Sequence, residues 1–353
     1  MRVPPVRVAV IGVGAMGSRW ARALSEHPGV EVSVVSDVRE DAGRTVANDL
    51  SARFVADARD AAAHPDVDAV AVCTPEHLHV EPALAAIDAG KAVMVEKPLA
   101  ATVAGSEAIR DRATACGVPL LAGHILRFEP RYAAARDAIA AGTIGAVQAM
   151  RHERIGLVTD QDVLRGRTTI ALYYGVHEFD LARWYAGDVE RIYAERSDGV
   201  LRTHGYEIQD LYSAVLRFRS GAHGTAMLGW SLPARTPGYG IGGVTVIGER
   251  GVIRISQGDV GLLVVDQDGL RDLDAYYAPA VHGRLRGALA IEVDHFVDCA
   301  RGTADPACTA ADGVEAVRIS LAMEASAEQS MPVYVESGAR DSNADAAGPS
   351  GAG

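Results

Sequence analysis

Apolar positions in the first third of the chain come in short unbroken runs, separated by alanine-rich stretches with helical spacing. Residues 6–12, VRVAVIG, form a β-branched run of the kind that a strand buried on both faces requires. Gly12-Val13-Gly14-Ala15-Met16-Gly17 follows at once, then a helical pattern through Leu24. A second strand is predicted over Val30–Val35, ending at Asp37, with further runs at 68–73 (DAVAVC) and 92–96 (AVMVE). Strand–helix alternation of this kind predicts an α/β fold built on a doubly wound parallel sheet.

Beyond about residue 126 the pattern changes. A helix is expected over 129–141, then an extended segment VQAMRHE at 147–153, then LYYGVHEFD running into a helix that ends near Trp184. From 189 to 266 apolar and polar residues alternate in segments punctuated by glycine: RIYAER, DLYSAVLRFRS, HGTAMLGWSL, GGVTVIGER, GVIRIS and DVGLLVV. This period of two predicts a largely antiparallel sheet. Two amphipathic helices follow near 285–301 and 310–329, and MPVYV reads as a last edge strand. Three regions are therefore expected. Residues 1–125 form a nucleotide-binding domain, 126–336 an α+β domain with an open sheet, and 337–353 a small, polar, disordered tail.

A chain of 353 residues with 48% hydrophobic and 23% charged residues suits two soluble globular domains. Its net charge of −12 argues against nucleic acid or an anionic membrane as partner. No apolar run reaches the roughly 18 residues of a membrane helix. The four cysteines form no C-x-x-C pair, so neither zinc nor a disulfide framework is indicated, and a reducing, cytoplasmic setting is expected. Lysine occurs only at Lys91 and Lys97; every other strong base is arginine.

The glycine motif gains its meaning from context: it follows a strand, opens a helix, and has Asp37 twenty positions after Gly17. Gly12 allows the tight turn, Gly14 the approach of a pyrophosphate, and Gly17 close helix–strand packing, with the intervening Val13, Ala15 and Met16 lining the cofactor. Asp37 is expected to accept from the adenosine ribose hydroxyls, favouring NAD over NADP, although Arg39 two residues on could hold a 2′-phosphate. Cys73, Thr74 and Pro75 end the next strand at the same sheet edge and should border the cofactor. His79 reads either as a contact beside the nicotinamide or as a helix cap.

Glu96-Lys97-Pro98 ends the following strand. Pro98 keeps Lys97 out of helical geometry. Hydride abstraction from a secondary alcohol needs a group to take the hydroxyl proton. A lysine beside an oxidised nicotinamide acquires a lowered pKa and can serve, whereas arginine stays protonated. Through GVGAMG, CTPEHLH, EKP and G-x-H-x-x-D, the chain resembles the Gfo/Idh/MocA oxidoreductases over about residues 6–335. The resemblance implies a Rossmann domain with Glu96 and Lys97 at the cofactor, a C-terminal domain whose open sheet joins homodimers or homotetramers, and a sugar, inositol or sugar derivative as substrate.

The family's second motif is Asp-x-x-x-His with a further Asp three residues on. His177 and Asp180 match; Tyr173 stands where the first aspartate belongs. In a helix Tyr173 and His177 would share a face. His177 is then the proton-relay residue and Asp180 either fixes its tautomer or pairs with Arg183. Tyr173 either donates to the substrate oxygen, its pKa lowered by Lys97, or narrows the pocket. His124 and Arg127 are expected to reach substrate hydroxyls or an acidic group, Arg127 alternatively bridging the domains. Glu153, Arg154, Arg165, Tyr206, Tyr239 and His282 are further pocket candidates. The expected activity is NAD-dependent oxidation of a secondary hydroxyl; a redox-neutral sugar enzyme and a non-catalytic NAD sensor are the alternatives.

Overall fold

The computed structural model describes residues 4–236, 240–257, 264–266, 269–271 and 274–336. The candidate Tyr239 and the tail 337–353 lie outside them. Six strands, β1 (Val6–Ile11), β2 (Val30–Ser36), β3 (Arg53–Phe54), β4 (Ala69–Val72), β5 (Ala92–Glu96) and β6 (Leu120–Gly123), make a wholly parallel sheet in the order β3-β2-β1-β4-β5-β6. The order reverses between β1 and β4, which opens a crevice beyond the carboxyl ends of the strands. Every residue of β4 and β5 is buried, as their unbroken apolar runs require.

The second sheet contains β7 (Val147–Leu157), β8 (Val189–Ser197), β9 (Leu211–Phe218), β10 (His223–Leu232), β11 (Ile241–Gly248) and β12 (Val252–Ser256), with a short strand Val333–Tyr334 at its edge. Its order is β12-β11-β7-β10-β9-β8 and then Val333–Tyr334; all pairs are antiparallel except β7 with β10. Burial alternates strictly along β9. One face carries Ala214, Leu216 and Phe218 into a core shared with Ile319 and Met323 of the helix Ala310–Gln329. The other face leaves Val215, Met227, Ile247 and Val252 exposed. Of the expected strand DVGLLVV only Val264 and Val265 lie within the described residues, where Val264–Asp266 pairs with Gly269–Arg271 in a ribbon separate from this sheet.

Residues late in the chain return to the first sheet. Leu289, Val293, Phe296 and Val297 of the helix Ala288–Ala300 share a core with Val8, Val10, Trp20 and Met94, and Trp20 meets Phe296 edge-on. On the other side, Ala310 and Val314 pack with Val95, Leu99 and Ile109. Gly313 sits so close to Leu99 and Ala122 that a side chain there would press on both. Among the described residues, no helix is long and apolar enough to cross a membrane.

Candidate active site

The glycine loop has the shape a dinucleotide needs. Gly12 turns with a φ of 86°, and a Cβ there would lie 2.8 Å from the Cys73 carbonyl oxygen. A Cβ on Gly17 would run into the Gly12 carbonyl, so only glycine lets the helix Ala15–Glu26 seat against β1. Gly14 has open space where its side chain would be. A phosphate can approach this backbone at the helix N-terminus. Asp37 lies beside the loop, its Oδ2 accepting from the Val13 N–H at 2.8 Å and its Oδ1 from the Arg39 N–H at 2.8 Å. Burial works to raise its pKa, but these donors and the Arg39 guanidinium outweigh it and hold the carboxylate low. Thr74 Oγ1, at the same edge, is buried with no partner among the described residues.

His79 is buried at this edge. Its ring is 1% exposed, with Nδ1 2.9 Å from the Pro98 carbonyl and Nε2 2.7 Å from the Thr74 carbonyl, and it makes no helix-capping bond. It ties the Thr74–Pro75 loop to the Lys97–Pro98 turn. Glu96 is buried as well. Its Oε1 accepts from Trp20 Nε1 at 2.8 Å and its Oε2 from the Lys97 backbone N–H, while burial raises its pKa.

A cavity of about 400 Å³ opens between the two sheets. Met16, Lys97, Arg154, Tyr173 and His177 are among the residues lining it. Lys97 Nζ donates to the Tyr173 carbonyl at 2.9 Å and stands 4.1 Å from the centre of the Tyr173 ring. Burial, reinforced by the charges of Arg154 and Arg167, brings its pKa down to about 8, despite the opposing pull of Glu96 and Glu76. His177 is held neutral: burial first, then Lys97, Arg154 and His124, push its pKa well below the ordinary value. Its Nδ1 is buried with no partner among the described residues.

LYYGVHEFD is helical, with a change of winding. Ala171–Gly175 is a π-helical turn leading into the α-helix Val176–Ala186. The turn replaces regular α-helical spacing between Tyr173 and His177, yet both line the same cavity. The Tyr173 ring packs on Tyr174 at 5.0 Å and Trp230 at 5.3 Å between centres. Its pKa is raised, by burial first and then by Asp160, rather than lowered by Lys97. The lysine meets the ring face and the backbone carbonyl instead of the hydroxyl.

Asp180 pairs with neither His177 nor Arg183. Its two oxygens accept from Arg127 Nη2 at 2.6 Å and Nε at 2.9 Å. Arg127 Nη1 also donates to the Ala307 carbonyl and to Asp312, and the guanidinium lies over Trp184. Arg183 bonds Asp188 and Asp312. Asp312, which shares the capping box of the last long helix with Thr309, is thus the hub of two arginines. Arg127 is a buried strut between the two halves and does not line the cavity. His124 stands just behind the site, 1% exposed, 3.8 Å from Asp180 and edge-on to His177 at 6.1 Å.

Of the remaining pocket candidates in the described residues, only Arg154 lines the cavity. It is held there by Glu178, which accepts from Arg154 Nε at 2.6 Å and also binds His152. Arg19, Asp160, Tyr174, Asp274 and Tyr277 line it as well and were not expected from sequence. Tyr174 belongs to the stretch already singled out; Asp160 and Asp274 carry no local signal of their position.

Comparison with known proteins fits this geometry. Residues 6–124 match the model of the Gfo/Idh/MocA oxidoreductase family, NAD-binding Rossmann fold, and residues 136–335 match that family's C-terminal alpha/beta domain. An inositol 2-dehydrogenase from Mycolicibacterium vanbaalenii is 32% identical over 94% of this chain and 95% of its own. The scyllo-inositol 2-dehydrogenase (NAD(+)) of Bacillus subtilis is 27% identical over 94% of this chain and 96% of its own. The crystal structure of a probable dehydrogenase from Thermotoga maritima superposes with a TM-score of 0.79 at 28% identity, covering 94% of this chain and 99% of that one. With both halves matched in order along nearly the whole described chain, this protein belongs to the Gfo/Idh/MocA family of oxidoreductases.

Proposed function

We propose that the protein is an NAD-dependent dehydrogenase that oxidises a secondary hydroxyl of a cyclitol or a closely related sugar. The observation that carries this reading is Lys97: an amine with a pKa near 8, in a cavity that adjoins the glycine loop. When bound, the nicotinamide supplies the hydride acceptor. Lys97 takes the hydroxyl proton, and its lowered pKa leaves a useful fraction of free amine near neutrality. His177, neutral and facing the same cavity, receives or relays that proton. Asp37 holds the adenosine ribose and the open backbone at Gly14 receives the pyrophosphate.

NAD is read as the preferred cofactor because the Asp37 carboxylate, beside the glycine loop at the end of β2, would repel a 2′-phosphate. The uncovered face of the second sheet, with Val215, Met227 and Ile247 exposed, is read as the surface through which copies of the chain associate into dimers or tetramers. Purified protein given NAD and a panel of inositols and sugars should form NADH with at least one of them. Absence of turnover across the panel, with NAD demonstrably bound, would overturn the dehydrogenase reading.

A further inference from the structure

Three carboxylates line the cavity: Glu96, Asp160 and Asp274. Glu96 has a donor on each oxygen, Trp20 and the Lys97 backbone N–H. Asp274 has three backbone donors, the N–H groups of Tyr276, Tyr277 and Ala278. Asp160 differs. Its Oδ2 accepts from the Tyr174 hydroxyl at 2.8 Å; burial raises its pKa, opposed by the hydrogen bonds from Tyr174 and the Leu157 backbone. A carboxylate offers about four acceptor positions, so Asp160, a lining residue with donors from Tyr174 and the Leu157 backbone, keeps acceptor capacity.

The placement is built. Asp160 occupies the residue before the short helix Gln161–Leu164, where aspartate commonly caps the helix, yet its side chain makes no capping bond. It turns back toward Tyr174 instead. Tyr174 is in turn fixed by ring contacts with Tyr173 and Trp230. Strand β7 is bare at Gly156: a Cβ there would strike the Tyr174 hydroxyl and crowd Asp160 Oδ2. Glycine at that point makes room for the pair.

We infer that Asp160 is a substrate-binding residue that, with one oxygen held by Tyr174, accepts hydrogen bonds from neighbouring hydroxyl groups of the substrate ring. This deepens the proposed function and rests on it. An acceptor-only carboxylate selects hydrogen-bond donors, and the cations lining the same cavity, Arg19, Lys97 and Arg154, oppose an ammonium there. Hydroxyls are the donors that remain. The carboxylate thereby supplies, from the end of β7, an acidic group that the helix bearing His177 lacks at Tyr173.

The test is calorimetric titration of the NADH-loaded protein with myo-inositol, followed by scyllo-inositol and glucose as alternative probes. Asp160→Asn keeps the shape but replaces one acceptor by a donor, and should weaken binding by about 10-fold or more without changing NADH affinity. Tyr174→Phe releases the carboxylate from its anchor and should raise KM several-fold while kcat is retained. Equal affinity in Asp160→Asn and parent overturns the inference, as does a parent protein that binds none of the three probes. If Asp160→Asn fails to fold, an unchanged KM in Tyr174→Phe overturns it. A parent that binds myo-inositol but reduces NAD with none of the panel of inositols and sugars, while Asp160→Asn does not bind, upholds Asp160 and overturns the dehydrogenase reading instead.

Discussion

Lys97 and Tyr173 meet through the backbone: the lysine Nζ donates to the tyrosine carbonyl at 2.9 Å and rests 4.1 Å from the ring centre. The side chain of residue 173 therefore supports the lysine with its face, and its hydroxyl is not the point of contact. Tyr173→Phe keeps both the carbonyl and the ring, so kcat is expected to stay within about 3-fold of the parent. Tyr173→Ala removes a cation–π contact of about 1 kcal/mol and unpacks the floor of the cavity, and should lower turnover several-fold. A Phe variant with kcat reduced by more than about 10-fold would instead place the hydroxyl in proton transfer.

Acid–base behaviour follows from the same lysine. In the oxidative direction Lys97 must be unprotonated, so kcat/KM should rise with pH to a plateau, its midpoint at or below about 8. The positive charge of oxidised nicotinamide adds to that of Arg154 and Arg167 and moves the midpoint down. His177, held neutral, should add no second inflection above its ordinary pKa. Lys97→Ala should lower turnover by roughly 10²-fold and flatten the profile, and Lys97→Arg should restore little. An arginine variant with parental activity would reduce Lys97 to a fixed charge.

Cofactor choice turns on Asp37 and its neighbour. Arg39 is largely exposed and held by the Asp37 carboxylate through both its N–H and its guanidinium. Asp37→Ala should weaken NAD binding and, by releasing Arg39, improve NADP binding, measured by titrating each cofactor against protein fluorescence. Tighter NADP than NAD binding in the unaltered protein would contradict the assignment.

The pair Arg127–Asp180 should matter for stability more than for chemistry. Both side chains are almost fully buried, and removing one charge strands the other. Asp180→Asn is expected to cost about 3 kcal/mol in chemical denaturation. Asp312, the second acid on Arg127, has a depressed pKa: burial opposes this, but Arg127 and Arg183 prevail. Its contribution is present above the ordinary aspartate range and is lost as pH falls below about 4. A denaturation midpoint unmoved by Asp180→Asn would show that Asp312 alone satisfies the guanidinium.

Much of this was legible beforehand, for identifiable reasons. Buried parallel strands announce themselves as apolar runs, and the glycine loop is local, so Gly12, Gly14, Gly17 and Asp37 could be placed from spacing. Lys97 stood out because the chain otherwise uses arginine. The partner of Asp180 could not be read, because Arg127 lies 53 residues away and only tertiary packing brings the two together. Local spacing favoured His177 and Arg183, and packing overrode it. The π-helical winding of Ala171–Gly175 has no local signature among those residues. Asp160 was missed for a related reason: before a helix it looks like an ordinary cap.

The closure of the first sheet by the helix Ala288–Ala300 and the start of Ala310–Gln329 also bears on how the chain is made. Synthesis proceeds from the N-terminus, and a folding unit contiguous in sequence can form while the rest is still being added. The nucleotide-binding sheet is not such a unit. Its apolar faces wait for Phe296, Val297 and Val314, which are made about 170 residues or more after the last strand of that sheet. Until then Trp20, Met94 and Leu99 lack part of their cover, and the two halves of the protein must mature together.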